Sequence, residues 1–116
     1  MSQTPADLPL EINCRGAQAL LRAGSKLLLL DCREPAEFEI ARLEGARLMP
    51  LSELAARGVA ELEDNRESPI VVYCHHGARS LWAAQWLRQH GFPLVQSMAG
   101  GIDAWSTEID PAVPRY

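Results

Sequence analysis

The chain has 116 residues, a length that buries one core and not two, and its 47% apolar and 22% charged residues are ordinary for a globular domain. A net charge of −4, with Lys26 the only lysine, leaves no basic footprint for nucleic acid and no run of like charge to act as a tail. No apolar run approaches a bilayer crossing, Met1 to Asp7 lacks the basic and apolar regions of a secretory leader, and three cysteines without a Cys-x-x-Cys spacing argue against a disulfide framework. The expectation is a cytoplasmic protein with reduced thiols, no membrane partner and no nucleic acid.

Residues 1–9 contain two prolines and no periodicity, and predict a loosely ordered lead-in to a domain over 10–106. Leu10-Glu11-Ile12 is a short strand candidate. Asn13 then has the side chain to accept a first-turn N–H and cap a helix carrying Ala17, Ala19, Leu20 and Leu21, which Gly24 stops. Cys14 falls in its first turn, without a glycine loop beside it, and reads as structural. Lys26 to Cys32 is a continuous apolar run too short for a helix, which predicts a strand buried on both faces. Asp31 and Arg33 close it. Glu34 to Ala41 follows as a short helix with proline in its first turn and acids near its positive end. Arg47-Leu48-Met49 predicts a strand ending at Pro50. Ser52 is placed to cap the next helix, which Gly58 divides into two short pieces over 52–63.

Asp64 to Ser68 is a polar turn into Ile70-Val71-Val72-Tyr73, a buried strand that delivers Cys74 to a sheet edge. His75-His76-Gly77-Ala78-Arg79 is a short loop, and Ser80 to Gln89 has helical composition, with Gly91 at its C-terminal end. Trp82 and Trp86 lie one turn apart, a spacing more typical of core packing than of a binding surface. Pro93 to Met98 predicts the last strand, followed by a flexible Gly100-Gly101 pair and a helix through Trp105. Residues 107–116 read as an extended segment packed on the domain. The alternation of strands and helices predicts an α/β fold with a mostly parallel sheet of about five strands, covered on both faces.

The chemistry concentrates at Cys74. The first N–H groups of a helix lack internal partners and carry partial positive charge, so an anion is favoured where the loop meets the helix. Successive loop amides of residues 75–80 form a nest that can converge on a thiolate, with Arg79 as a nearby cation. Such settings bring a thiol from about 8.5 down to roughly 3.5–7.5. Cys74 is therefore predicted to be a nucleophile ionised at neutral pH.

Cys74-His75-His76-Gly77-Ala78-Arg79-Ser80 resembles the active loop of the rhodanese family of sulfurtransferases, Cys-x-x-Gly-x-Arg followed by Ser or Thr. Asp31-Cys32-Arg33-Glu34-Pro35-Ala36-Glu37-Phe38 and Ala99-Gly100-Gly101-Ile102-Asp103-Ala104-Trp105 match two further stretches of that family, in its order. The resemblance, nearest to single-domain members, implies a sulfurtransferase that takes a sulfane sulfur from a donor such as thiosulfate and passes it to cyanide or a thiol through a persulfide on Cys74. It implies no cofactor. It also implies that His75, His76, Gly77, Ala78, Arg79 and Ser80 bind the donor and that Asp31 and Arg33 support the loop. Where the family commonly has Gly-His-Ile this chain has Ala41-Arg42-Leu43, which removes any role for that histidine.

Alternatives stand beside several of these residues. Asp31 and Arg33 either orient the loop or form an exposed ion pair worth little. His75 and His76 either select the donor or fill a polar loop; with Cys74 adjacent to them, they cannot all face one metal ion. Cys32 either packs the core or, as a second thiol near a persulfide, receives its sulfur. A cysteine phosphatase or arsenate reductase also uses Cys-loop-Arg, but its loop is one residue longer and its mechanism needs an aspartate general acid. A non-catalytic interaction module typically loses the cysteine that this chain keeps. A relay carrier fed by a cysteine desulfurase needs the same loop as the free-standing enzyme. The expected partners are thus a small sulfur donor and acceptor or a relay protein, for a monomer or weak dimer.

Overall fold

A computed structural model describes residues 4–24 and 26–116. The expected lead-in falls partly outside these, at residues 1–3. Among the described residues, five strands form one sheet: β1 (Glu11–Ile12), β2 (Leu28–Asp31), β3 (Arg47–Leu48), β4 (Ile70–Tyr73) and β5 (Val95–Met98). Their order is β1-β5-β4-β2-β3, and every pairing is parallel. β4 is central and wholly buried, as its unbroken apolar run requires of a strand covered on both faces.

Side-chain alternation divides the core in two. Leu30, Ile70 and Val72 point to one face, where they pack with Leu54, Leu62 and with Ala83, Ala84 and Leu87 of the helix α5 (Ala78–Gln89). Leu29, Val71 and Tyr73 point to the other, against Cys14 and Ala17 of α1 (Cys14–Arg22) and Ile102 and Trp105 of α6 (Gly101–Glu108). The remaining helix between β2 and β3 is α2 (Pro35–Ile40), with Pro35 at its start. Asn13 caps α1 by accepting from Gly16 N–H at 2.7 Å, as its position predicts.

The stretch after β3 departs from expectation. Pro50, not Ser52, precedes α3 (Leu51–Glu53), and the Ser52 hydroxyl instead donates to Glu34 at 3.3 Å. Gly58 does not break the chain: it has ordinary helical angles and ends a π turn over Leu54–Gly58 that runs into α4 (Val59–Glu61). A single wide turn keeps Leu54 and Leu62 in the same core cluster, which a break would not.

Both end segments are tied back to the domain, the first to α5 and β5 and the last to α6. Arg88 donates to the carbonyls of Leu8 at 3.2 Å and Pro9 at 2.8 Å, and the Gln96 amide also reaches Pro9, so this part of the lead-in is fixed. α6 runs past Trp105 to Glu108, and the chain then turns back through Ser106 Oγ to Val113 O at 2.6 Å and an Arg115–Asp103 ion pair at 2.9 Å.

Gly100 and Gly101 are not a flexible joint but a fitted one. Both hold positive φ, +81° and +61°, and a Cβ on Gly101 would fall on the carbonyl oxygens of Cys74 and His75. Gly101→Ala is expected to lower stability in urea unfolding by about 2 kcal/mol or more, combining left-handed strain with that clash. Gly45→Ala, with the same backbone sign (φ +81°) and nothing within 4 Å, should lose only about 1 kcal/mol.

Candidate active site

Cys74 stands at the carboxyl end of the central strand, where open α/β sheets place their ligands. The loop after it is shorter than the sequence suggests, because α5 begins at Ala78 with Gly77 as its cap residue. Gly77 takes φ +111° and lies so close to the Gly100 backbone that a Cβ would sit 3.1 Å from its nitrogen. With no side chain of its own to cap α5, Gly77 leaves that task to the cysteine. Cys74 Sγ accepts from Gly77 N–H at 3.1 Å and from Ser80 N–H, an otherwise unpaired first-turn donor, at 3.3 Å. Of the amides of residues 75–80, these two reach the sulfur.

Two side chains complete the cradle. Ser80 Oγ lies 3.5 Å from the sulfur and is held by Ser97 Oγ at 2.7 Å, so in the thiolate form Ser97 can donate to Ser80 and Ser80 to sulfur. The Cys32 thiol lies beside it, in the same buried cluster at the end of the neighbouring strand. Cys32 is the largest influence lowering the Cys74 pKa, followed by Ser80 and the two amides; together they overcome burial and bring it from 9.0 to about 4. The same proximity, with burial, raises the Cys32 pKa, so Cys32 stays a thiol beside a thiolate. Cys14 is on the opposite face of the sheet, with burial pushing it up to about 11.

Arg79 does not bond the sulfur. Its guanidinium makes a two-pronged pair with Glu37, at 2.7 and 2.9 Å, and that pair is the main reason the Glu37 carboxyl falls to about 2. Asp31 and Arg33 are fully buried, which overturns the reading of an exposed pair. Arg33 donates to both Asp31 oxygens, to the carbonyls of Glu37 and Ala41, and to Tyr116 Oη at 2.7 Å. Tyr116 in turn donates to Glu37 at 2.8 Å. Asp31 and Arg33 are thereby linked to the active loop through Tyr116, Glu37 and Arg79.

His75 is stacked between His76 and Tyr116, with ring centroids 3.9 and 4.0 Å away, and its Nε2 is buried without a hydrogen-bond partner. His76 is exposed, 3.9 Å from Asp103. Ala78 and Arg79, with Leu51 and Trp82, line an open groove of about 370 Å³. Trp82 is 51% exposed there, so the expectation of core packing fails for it and holds for half-buried Trp86, which lies against the α5 face of the core.

Residues 16–108 match the rhodanese-like domain family. The chain belongs to that family. It is 40% identical over 91 residues to a chloroplastic rhodanese-like/PpiC domain-containing protein 12 of Arabidopsis thaliana, covering 76% of this chain and 30% of the relative. It is 36% identical over 97 residues to a probable adenylyltransferase/sulfurtransferase MoeZ of Mycobacterium tuberculosis, covering 83% and 24%. This rhodanese-like chain thus spans less than a third of either relative. A crystal structure of a rhodanese-related protein from Thermoplasma volcanium superposes with a TM-score of 0.78 at 30% identity, covering 93% of this chain and all of that one. Glu37, Ser97 and Tyr116, to which sequence reasoning gave no site role, are hydrogen-bonded to residues of the candidate site or to one another; Glu37 lay within a matched motif, but its partner 42 positions away was invisible.

The thiolate should be visible in ultraviolet absorbance throughout the neutral range and disappear only near pH 4. Ser80→Ala, which removes one donor to the charged sulfur, should raise that midpoint by about one pH unit. Because the folded value lies below the ordinary thiol value, ionisation stabilises the fold fully above about pH 9 and not at all below about pH 4. The wild-type advantage over Cys74→Ala in urea unfolding should shrink as pH falls through that window.

Proposed function

We propose that this domain is a sulfurtransferase that moves a sulfane sulfur through a persulfide on Cys74. The observation that carries the reading is the convergence of two amides and a hydroxyl on one sulfur at a strand end, with a second buried thiol beside it. In the first half-reaction the thiolate attacks the outer sulfur of a donor such as thiosulfate, the donor's S–S bond breaks and sulfite leaves. The terminal persulfide anion then occupies the mouth of the cradle. In the second, an acceptor such as cyanide or a thiol attacks that outer sulfur and Cys74 leaves as the thiolate. Fixed donors hold charge on sulfur in every state, so no general base is needed. In this reading exposed His76 meets the oxygens of an anionic donor at the rim, with the His75 ring stacked against it.

Arg79 fits this scheme as the residue that holds the start of α5 against α2, since its charge is committed to Glu37. That commitment also weighs against phosphoryl chemistry, in which an arginine facing the cradle is required. A relay reading, with a cysteine desulfurase as donor and a protein as acceptor, is favoured by one observation: the groove bearing exposed Trp82 adjoins the loop at Ala78 and Arg79, where a macromolecule can dock. The MoeZ relative is described as a sulfurtransferase joined to an adenylyltransferase, which agrees with such a role. Three free, buried cysteines support a reducing compartment such as the cytoplasm.

Intact mass of the wild-type and Cys74→Ser proteins after thiosulfate, and again after cyanide, tests the proposal. The wild type is expected to gain one sulfur that cyanide removes as thiocyanate, and Cys74→Ser to gain none while unfolding normally in urea. Loading by a cysteine desulfurase but not by thiosulfate would select the relay reading. Sulfur on Cys74→Ser, or on neither protein with either donor, would falsify the assignment.

A further inference from the structure

The parallel register of β2 and β4 ends with Asp31 opposite Tyr73, which puts Cys32 opposite Cys74 at the next position. The ladder continues that far, since Cys32 N–H bonds Tyr73 O at 3.1 Å. Adjacent strands lie about 4.8 Å apart, inside the roughly 4.4–6.8 Å over which two Cα atoms accept a disulfide. Both side chains face the same way: Cys32 and Cys74 share a core cluster with Leu30 and Val72, two residues back on each strand. Each is about 1% exposed, and each is the largest influence on the other's ionisation. A thiol required only for packing would not have to meet the nucleophile's sulfur.

We propose that Cys32 is the resolving thiol of the Cys74 persulfide, so that the domain itself releases the transferred sulfur as hydrosulfide and closes a Cys32–Cys74 disulfide. This rests on the sulfurtransferase reading. Cys32 sulfur attacks the inner sulfur of the persulfide, on Cys74; the bond between inner and outer sulfur breaks, and the Cys32 proton leaves with the outer sulfur. The persulfide anion and one thiol thereby become a disulfide and hydrosulfide. The two cysteines are oxidised and the sulfane sulfur is reduced, with charge conserved. A dithiol reductant then returns both thiols.

The resting site does not fire prematurely. While Cys74 is a thiolate, its charge holds the proton on Cys32; loading moves that charge to the outer sulfur and leaves a neutral, attackable sulfur against Cys32. The buried placement gives the internal thiol an effective concentration of up to about 10⁵ M or more, beyond any external thiol. A free acceptor must therefore compete by reaching the outer sulfur first.

The test compares wild type with Cys32→Val and Cys32→Ala, all reduced, freed of reductant and treated with thiosulfate. Intact mass, peptide mapping and dissolved hydrosulfide are followed, with urea unfolding to establish that each variant is folded. The wild type is expected to pass through a protein one sulfur heavier to one two hydrogens lighter, joined at Cys32 and Cys74, with one hydrosulfide per chain. Both variants are expected to load more slowly, having lost the largest influence that lowers the Cys74 pKa, and then to stop at the persulfide, which Gly77 and Ser80 still hold. Hydrogen peroxide provides a second arm that needs no sulfur donor: a sulfenic acid formed on Cys74 should condense with Cys32, losing water, in the wild type alone. A wild type that keeps its persulfide, or a folded variant that releases hydrosulfide equally, overturns the resolving role and leaves the sulfurtransferase reading intact. If no protein gains sulfur, both fall, and a disulfide with peroxide would then show only that the two thiols meet.

Discussion

The site depends on two hydrogen bonds that do not touch the sulfur: Ile102 N–H to Cys74 O at 2.9 Å and Asp103 N–H to His75 O at 3.1 Å. They satisfy unpaired donors at the start of α6 and, at the same time, turn the first two carbonyls of the active loop away from the thiol. This anchoring fixes the start of the loop, whose next turn brings the Gly77 and Ser80 amides onto Sγ. The approach is possible only because Gly77, Gly100 and Gly101 lack side chains where three backbones meet. Cys74 is thus shared by two helix ends: α6 grips its carbonyl, and α5 is capped by its sulfur. Displacing either helix disturbs the thiol, and ionising the thiol strengthens the cap.

Around this core runs a chain of polar groups from Asp31 through Arg33, Tyr116 and Glu37 to Arg79. The fully buried Asp31–Arg33 pair is not an argument for stability, since desolvation offsets most of its attraction. Its geometry matters more. The Arg33 guanidinium ties β2 to the carbonyls of Glu37 and Ala41, at the end of α2, and to a tyrosine arriving from the far end of the sequence. Tyr116 accepts from Arg33, donates to Glu37 and stacks on His75, so one side chain braces both the ion pair that holds α5 and the loop beside Cys74.

What could be read from the sequence was whatever local pattern determines. The apolar run before Cys74, the alternation that divides the two core faces, and the three motif stretches led to the parallel sheet and to the position of the thiol. Local pattern misled where two local solutions compete, as with Ser52, whose hydroxyl found Glu34 instead of its own helix, and Gly58, absorbed into a π turn. It was silent on partners set by register. Cys32 looks like any core cysteine until β2 and β4 are aligned, and Arg79 looks like a free cation until α2 brings Glu37 to it. Trp82 and Trp86 share one spacing; only the lie of α5 on the sheet decides which faces the groove.

The depressed Cys74 pKa has different consequences for the two halves of the proposed reaction. At neutral pH a thiol of pKa 9.0 is about 1% ionised, so lowering it to about 4 raises the reactive fraction roughly a hundredfold. The same five-unit decrease weakens the intrinsic nucleophilicity of the thiolate by a comparable factor, since reactivity follows pKa with a slope of about 0.4–0.5. Attack on the donor therefore gains little. Departure gains, because a less basic thiolate is a better leaving group when an acceptor takes the outer sulfur. Within the proposed mechanism, the donors around Cys74 assist the unloading of sulfur more than its capture. Capture must then be favoured by positioning of the donor at the rim, where His75 and His76 lie.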